Sequence, residues 1–87
     1  MPAPDLFEFP CEFPVKVMGR ASADFRRLTR EIIERHAGAL GENQVAERLS
    51  QDENFVSLTF TIRASSREQL DALYRELTAS EDVLVAL

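Results

Sequence analysis

The sequence predicts an α+β fold, a four-stranded antiparallel sheet with two helices on one face, and three observations carry the prediction. Residues 55–64 alternate apolar and polar side chains at the period of a half-buried strand. Two segments, starting near Ser22 and Ser66, place apolar residues at three- and four-residue steps behind a capping residue. Apolar segments of strand character stand before the first helix, between the two helices and after the second. The order is therefore βαββαβ, two strand-helix-strand units whose right-handed crossovers set both helices on the same side of the sheet. This is a ferredoxin-like sandwich.

A chain of 87 residues makes one domain, which buries about 60–65% of its unfolded surface. Residues 1–12 hold Pro2, Pro4 and Pro10 with Asp5, Glu8 and Glu12, so no helix is expected before Phe13. They read as a partly ordered N-terminal arm, with Leu6–Phe9 apolar enough to dock, and residues 13–87 as the single domain.

Phe13–Met18 is the first expected strand, with Phe13, Val15 and Val17 on one face, Lys16 and Met18 on the other, and Gly19 ending it. Pro14 cannot donate a ladder bond, so it belongs at the strand's start or at an edge. The first helix takes Ser22 or Asp24 as its cap and aligns Phe25, Leu28, Ile32 and His36, flanked by Ile33. Its opposite face pairs Arg27 with Glu31, Arg30 with Glu34 and Glu31 with Arg35 at four-residue spacing, and Gly38 and Gly41 punctuate its end.

Gln44–Leu49 is the second strand, Ser50–Asn54 a turn, and Phe55–Ala64 the third strand, burying Val56, Leu58, Phe60, Ile62 and Ala64. Ser66-Arg67-Glu68-Gln69 is a capping box ahead of Leu70, Leu73, Tyr74 and Leu77, and this helix ends near Ser80. Val83–Leu87 is a short apolar last strand.

Composition excludes several function classes. A net charge of −5 argues against duplex nucleic acid and anionic membranes, whose binders carry a basic footprint. Single-stranded RNA recognition on this fold uses aromatics on the open face of the central strands, where Ser57, Thr59 and Thr61 stand instead. No apolar run approaches the ~20 residues that span a bilayer, and Met1–Asp5 lacks the basic start of a secretory signal, so a cytoplasmic protein is expected. One cysteine, Cys11, makes neither an internal disulfide nor a CxxC metal pair, and the acids between Glu42 and Glu53 are interrupted by Arg48. No metal or cofactor is expected.

Nucleophilic catalysis needs a nucleophile beside a base, and only Cys11 and His36 offer one. Cys11 has the Glu12 carboxylate rather than a cation beside it, the opposite of what activates a nucleophile, and His36 falls on the apolar stripe at the end of a helix, where its ring packs and its charge suits the dipole. Met18-Gly19-Arg20-Ala21 supplies one glycine, one cation and a following helix N-terminus, the elements of a small-anion site. Lys16, Phe55, Ser57, Thr59 and Thr61 share the sheet face that a chain this short leaves open. Arg20, Arg26, Arg27, Arg30 and Arg35 against Asp24, Glu31 and Glu34 make a local charge of +2 around the first helix, a solvated face or a surface for an acidic partner.

Phe7-Glu8-Phe9-Pro10, Lys16-Val17-Met18-Gly19, Arg35-His36-Ala37, the Ser57–Ile62 strand and Leu73-Tyr74-Arg75-Glu76-Leu77 resemble, in this order, the YbeD-like family of small bacterial proteins. The resemblance implies a ferredoxin-like fold similar to the ACT regulatory domains, which bind amino acids or related ligands beside helices and dimer interfaces. It implies no established reaction, and its genomic association with lipoate attachment points to a partner rather than a mechanism. The reading is a non-catalytic regulatory or adaptor domain that works through a homodimer, a protein partner or a small-molecule effector near Met18–Ala21. The alternative is an accessory subunit or weak enzyme using His36 or Cys11, linked to lipoate metabolism.

Overall fold

The computed structural model describes residues 8–87. Its elements are β1 (Cys11–Arg20), α1 (Ala23–Ala37), a single 3₁₀ turn (Glu42–Gln44), β2 (Val45–Leu49), β3 (Phe55–Ala64), α2 (Arg67–Ala79) and β4 (Val83–Ala86). The sheet order is β2-β3-β1-β4 and every neighbouring pair is antiparallel, which is the expected ferredoxin-like sandwich. Leu6 and Phe7, expected to dock with the arm, lie outside the described residues, whereas Phe9 packs on the core.

Alternation decides which face of the sheet is covered. Val15, Val17, Val56, Leu58, Phe60 and Ile62 are buried, and Phe25, Ile32, Ile33, Leu70, Leu73 and Leu77 of the helices close over them. Lys16 and Met18 face the other way and are exposed. In α1 the fully buried residues are Phe25, Thr29, Ile32 and Ile33, with Leu28 and His36 half-buried, so the buried stripe is rotated from the expected one toward Thr29. A threonine fits there because its Oγ1 donates to the carbonyls of Phe25 (2.9 Å) and Arg26 (3.1 Å) and brings no unsatisfied group into the core.

β1 begins at Cys11, ahead of the expected Phe13, and runs through Gly19 to Arg20 instead of ending at the glycine. Gly19 is buried beneath the Phe25 ring: a Cβ there would stand 2.3 Å from Phe25 Cε1 and 2.7 Å from the Asp82 carbonyl oxygen. This glycine serves close packing of helix on strand rather than a turn. Pro14 sits within β1, opposite Thr61 of β3, and not at a strand end. The Lys16 amide donates to Leu87 on the β4 side, so the Pro14 nitrogen, two residues earlier, also faces that side, where β4 supplies no partner.

Ser22 caps α1, its Oγ accepting from the Phe25 amide at 3.0 Å, so Asp24 is not the cap. Ser66 caps α2 through the Gln69 amide at 3.1 Å. The Gln69 side chain reaches past the cap to the Ser65 amide (2.6 Å) and donates to the His36 carbonyl (2.7 Å), tying the start of α2 to the end of α1. Arg27 pairs with Asp24 rather than Glu31, and Arg35 with Glu76 of α2, while Arg30 and Glu34 pair as spaced.

Candidate functional site

The uncovered sheet face is built by register. Ser57 of β3 stands opposite Arg48 of β2 and Met18 of β1, and Met18 stands opposite Val85 of β4, so these four form one row across the sheet. The next row runs Ala46, Thr59, Lys16, and Lys16 exchanges both backbone hydrogen bonds with Leu87 (2.9 and 2.8 Å). Thr61 follows opposite Pro14. At the other end Phe55 lies opposite Arg20, whose guanidinium carbon is 5.6 Å from the ring centroid, a cation–π contact. Lys16, Phe55, Ser57, Thr59 and Thr61 are thus brought onto one face as their parity predicted.

That face interleaves exposed apolar side chains with basic ones. Met18 is 37% exposed, Phe55 39%, Val85 41% and Leu87 66%. Lys16, Arg20 and Arg48 flank them, an excess of positive charge on a chain of net charge −5. A shallow depression of about 160 Å³ opens between Met18, Arg48, Leu49, Ser50, Phe55 and Ser57. Val85, Leu87 and Arg48 were missed by sequence reasoning, because only the register of β4 and β2 puts Val85 and Arg48 in the Met18 row and Leu87 beside Lys16.

Met18, Gly19, Arg20 and Ala21, expected to form a loop, are three strand residues and the connection to Ser22, where the Ala21 amide donates to the Asn54 carbonyl at 2.9 Å. Met18 faces the open side, Gly19 is buried and Ala21 packs on the core. Beside them a cleft of about 240 Å³ is lined by Arg20, Ser22, Phe25, Glu81, Asp82 and Leu84.

Cys11 lies opposite Ala64 and rests against the core. His36 Nε2 is 2.7 Å from Glu76 Oε1, and Arg35 holds the other oxygen of the same carboxylate. Arg35, then His36, hold the Glu76 carboxyl below the usual carboxylate range. Among the described residues no group of three or more His, Cys, Asp or Glu side chains is placed to hold a metal ion. No described helix is long and apolar enough to cross a membrane.

On the other side of the sheet, Arg26 of α1 grips Glu47 of β2 through two hydrogen bonds, Nε to Oε1 at 2.8 Å and Nη2 to Oε2 at 2.9 Å. Arg26 accordingly holds the Glu47 carboxyl below its ordinary range. The pair spans a cleft of about 370 Å³ lined by Arg26, Arg27, Arg30, Val45, Glu47, Leu58 and Phe60.

Fold and surfaces together define a small ferredoxin-like α+β domain with one sheet face that the described residues leave uncovered. Residues 4–87 match the family described as "Protein of unknown function (DUF493)". A UPF0250 protein of Paraburkholderia phytofirmans is 42% identical over 82 residues, 94% of this chain and 92% of that one. UPF0250 proteins of Bordetella parapertussis and Chromobacterium violaceum are 41% identical over 86 residues and 42% over 83, covering 99% and 95% of this chain and 94% and 93% of theirs. The chain belongs to this DUF493/UPF0250 family of small bacterial proteins, the YbeD-like family that its motifs resemble.

Proposed function

We propose that the chain is a non-catalytic adaptor or regulatory domain whose open sheet face receives another protein surface. The observation that carries this reading is the row Arg48, Ser57, Met18, Val85, in which two exposed apolar side chains lie side by side on a face that also presents Lys16, Arg20 and Arg48. Protein interfaces combine exposed apolar side chains with charged neighbours, and these cations select a partner surface whose apolar patch is bordered by carboxylates. The occupant is a separate protein rather than a second copy, because two such faces would set their cations against each other.

Met18→Glu tests it, since the side chain is exposed and a carboxylate there adds no buried charge. Stoichiometric complexes formed by the parent in a bacterial lysate are expected to vanish with Met18→Glu while the thermal midpoint stays put. Complexes that survive the substitution, or a parent protein that captures nothing and sediments as a monomer, remove the reading.

The cleft at Arg20, Glu81 and Asp82 favours a second reading, a small zwitterionic effector whose carboxylate meets Arg20 and whose ammonium meets the two acids. A thermal-shift screen of zwitterionic metabolites tests it, and a shift that persists in Arg20→Ala counts against this cleft.

A further inference from the structure

We propose that the groove between α1 and the outer edge of β2 docks an extended acidic segment of a partner protein as a fifth strand. The inference concerns the opposite side of the sheet from the open face and does not depend on that reading.

β2 is an edge strand, paired with β3 alone among the described residues. The Ser50 amide donates to Phe55 across the turn, and alternation from that pair directs the backbone groups of Arg48 and Ala46 toward β3. Those of Val45, Glu47 and Leu49 therefore point outward. The Val45 amide is taken by the Glu42 carbonyl, which leaves the Glu47 and Leu49 N–H groups and the outward carbonyls open for another strand. Residues of an added strand opposite Val45, Glu47 and Leu49 share their side of the sheet, so alternate side chains of the incoming segment project into the groove beneath α1.

The groove determines what those side chains are. Its lining presents three arginines and one glutamate around an apolar floor of Val45, Leu58 and Phe60. Arg26 is held by Glu47, and Arg30 by the Leu40 carbonyl at 2.7 Å and by its ion pair with Glu34, so both are fixed in place. Arg27 projects furthest, 70% exposed, and its ion pair is with Asp24, itself 91% exposed. Carboxylates at alternate positions meet this arginine row through charge-assisted hydrogen bonds, Arg27 exchanging its exposed Asp24 partner for them. A second copy fits worse: pairing two β2 edges about a two-fold axis normal to the sheet puts both grooves on one side and turns their arginine rims toward each other.

The probe is a short labelled peptide alternating threonine and glutamate, titrated by fluorescence anisotropy with amide exchange of the whole chain followed by NMR. Expected are saturable, salt-sensitive binding, slowed exchange of the Glu47 and Leu49 amides, and roughly tenfold weaker binding by Arg27→Glu. Arg27 makes only a surface pair, so that variant keeps its fold, and its thermal midpoint confirms it. A peptide N-methylated at the groove-facing residues should lose binding through its backbone alone. Equal binding of a threonine-lysine peptide overturns the charge argument, and equal binding of the N-methylated peptide overturns strand addition. A dimer in sedimentation that Leu49→Pro dissociates replaces the acidic segment with a second copy and overturns the proposal.

Discussion

His36 of α1 and Glu76 of α2 are joined across the helix pair, Nε2 to Oε1 at 2.7 Å, with Arg35 on the second oxygen of the same carboxylate. One carboxylate thus closes two cationic or hydrogen-bonding side chains from the last turn of α1 onto the middle of α2. Gln69 adds a link from α2 to the His36 carbonyl. The helices cover a single sheet face, so this clasp fixes their mutual position where no strand does.

Acid should loosen the molecule through its held carboxylates. Glu76 is kept below its ordinary pKa chiefly by the Arg35 hydrogen bond, and Glu47 chiefly by Arg26. Each folded pKa lies below the unfolded one, so the stability these pairs contribute is whole above the unfolded value of about 4.3 and is lost as pH falls through the folded values. Urea unfolding midpoints from neutral to acid pH should therefore drop below about pH 4.3, and drop less steeply in Glu76→Gln. Identical slopes for the parent and Glu76→Gln would mean that the clasp contributes nothing.

The two faces of β3 should differ sharply in cost. Phe60 is 1% exposed in the core, and truncation to alanine removes the largest of the fully buried side chains. Phe60→Ala is expected to cost about 3–5 kcal/mol and Thr59→Ala under about 1 kcal/mol, read from denaturant melts. Comparable losses would contradict the assignment of the open face.

Elements were legible in the sequence where a local pattern decided them, and sites were not, because sites depend on register. The strict alternation of Phe55–Ala64 gave that strand to its boundaries and the Ser66 cap gave the start of α2, whereas Ser22 and Asp24 both stood as caps of α1 until the structure showed Ser22. The end of β1 was misjudged because a glycine that lets a ring approach reads locally like a glycine that turns the chain; only the Phe25 ring over Gly19 distinguishes them. Likewise the spacing of Arg35 offered Glu31 as partner, whereas the tertiary fold delivers Glu76. Met18 next to Val85, and Arg26 on Glu47, are pairings between elements far apart in sequence, and no local signal announces them.

The turn between β2 and β3 carries one residue in a conformation unfavourable to it. Glu53 has φ 63°, in the left-handed region, while Asp52 accepts from the Ser50 hydroxyl (2.7 Å) and the Asn54 amide (3.1 Å) to hold the turn. Left-handed backbone costs an ordinary L-residue roughly 1–2 kcal/mol, and the greater unfolded-state freedom of glycine returns about half of that. Glu53→Gly should raise stability by about 0.5 kcal/mol, and Asp52→Ala should lower it by releasing the turn. A lower thermal midpoint in Glu53→Gly would show that the glutamate side chain contributes more than its backbone strain costs.

Gly19 tests how closely α1 is set upon the sheet. The aromatic carbons of Phe25 and the carbonyl oxygen of Asp82 occupy the space that a Cβ would take, at 2.3, 2.6 and 2.7 Å. The Phe25 ring is buried and cannot swing into solvent, and the Asp82 carbonyl belongs to the backbone leading into β4, so neither neighbour yields without moving an element. Gly19→Ala is therefore expected to cost about 1–3 kcal/mol as an overpacking change. The loss should be recovered in part by Gly19→Ala with Phe25→Leu, which withdraws the ring from the new methyl, and the double-mutant cycle should give a favourable coupling between the two sites. Additive losses would place the strain at Asp82 instead, and the displaced segment would then be the β4 edge rather than the start of α1.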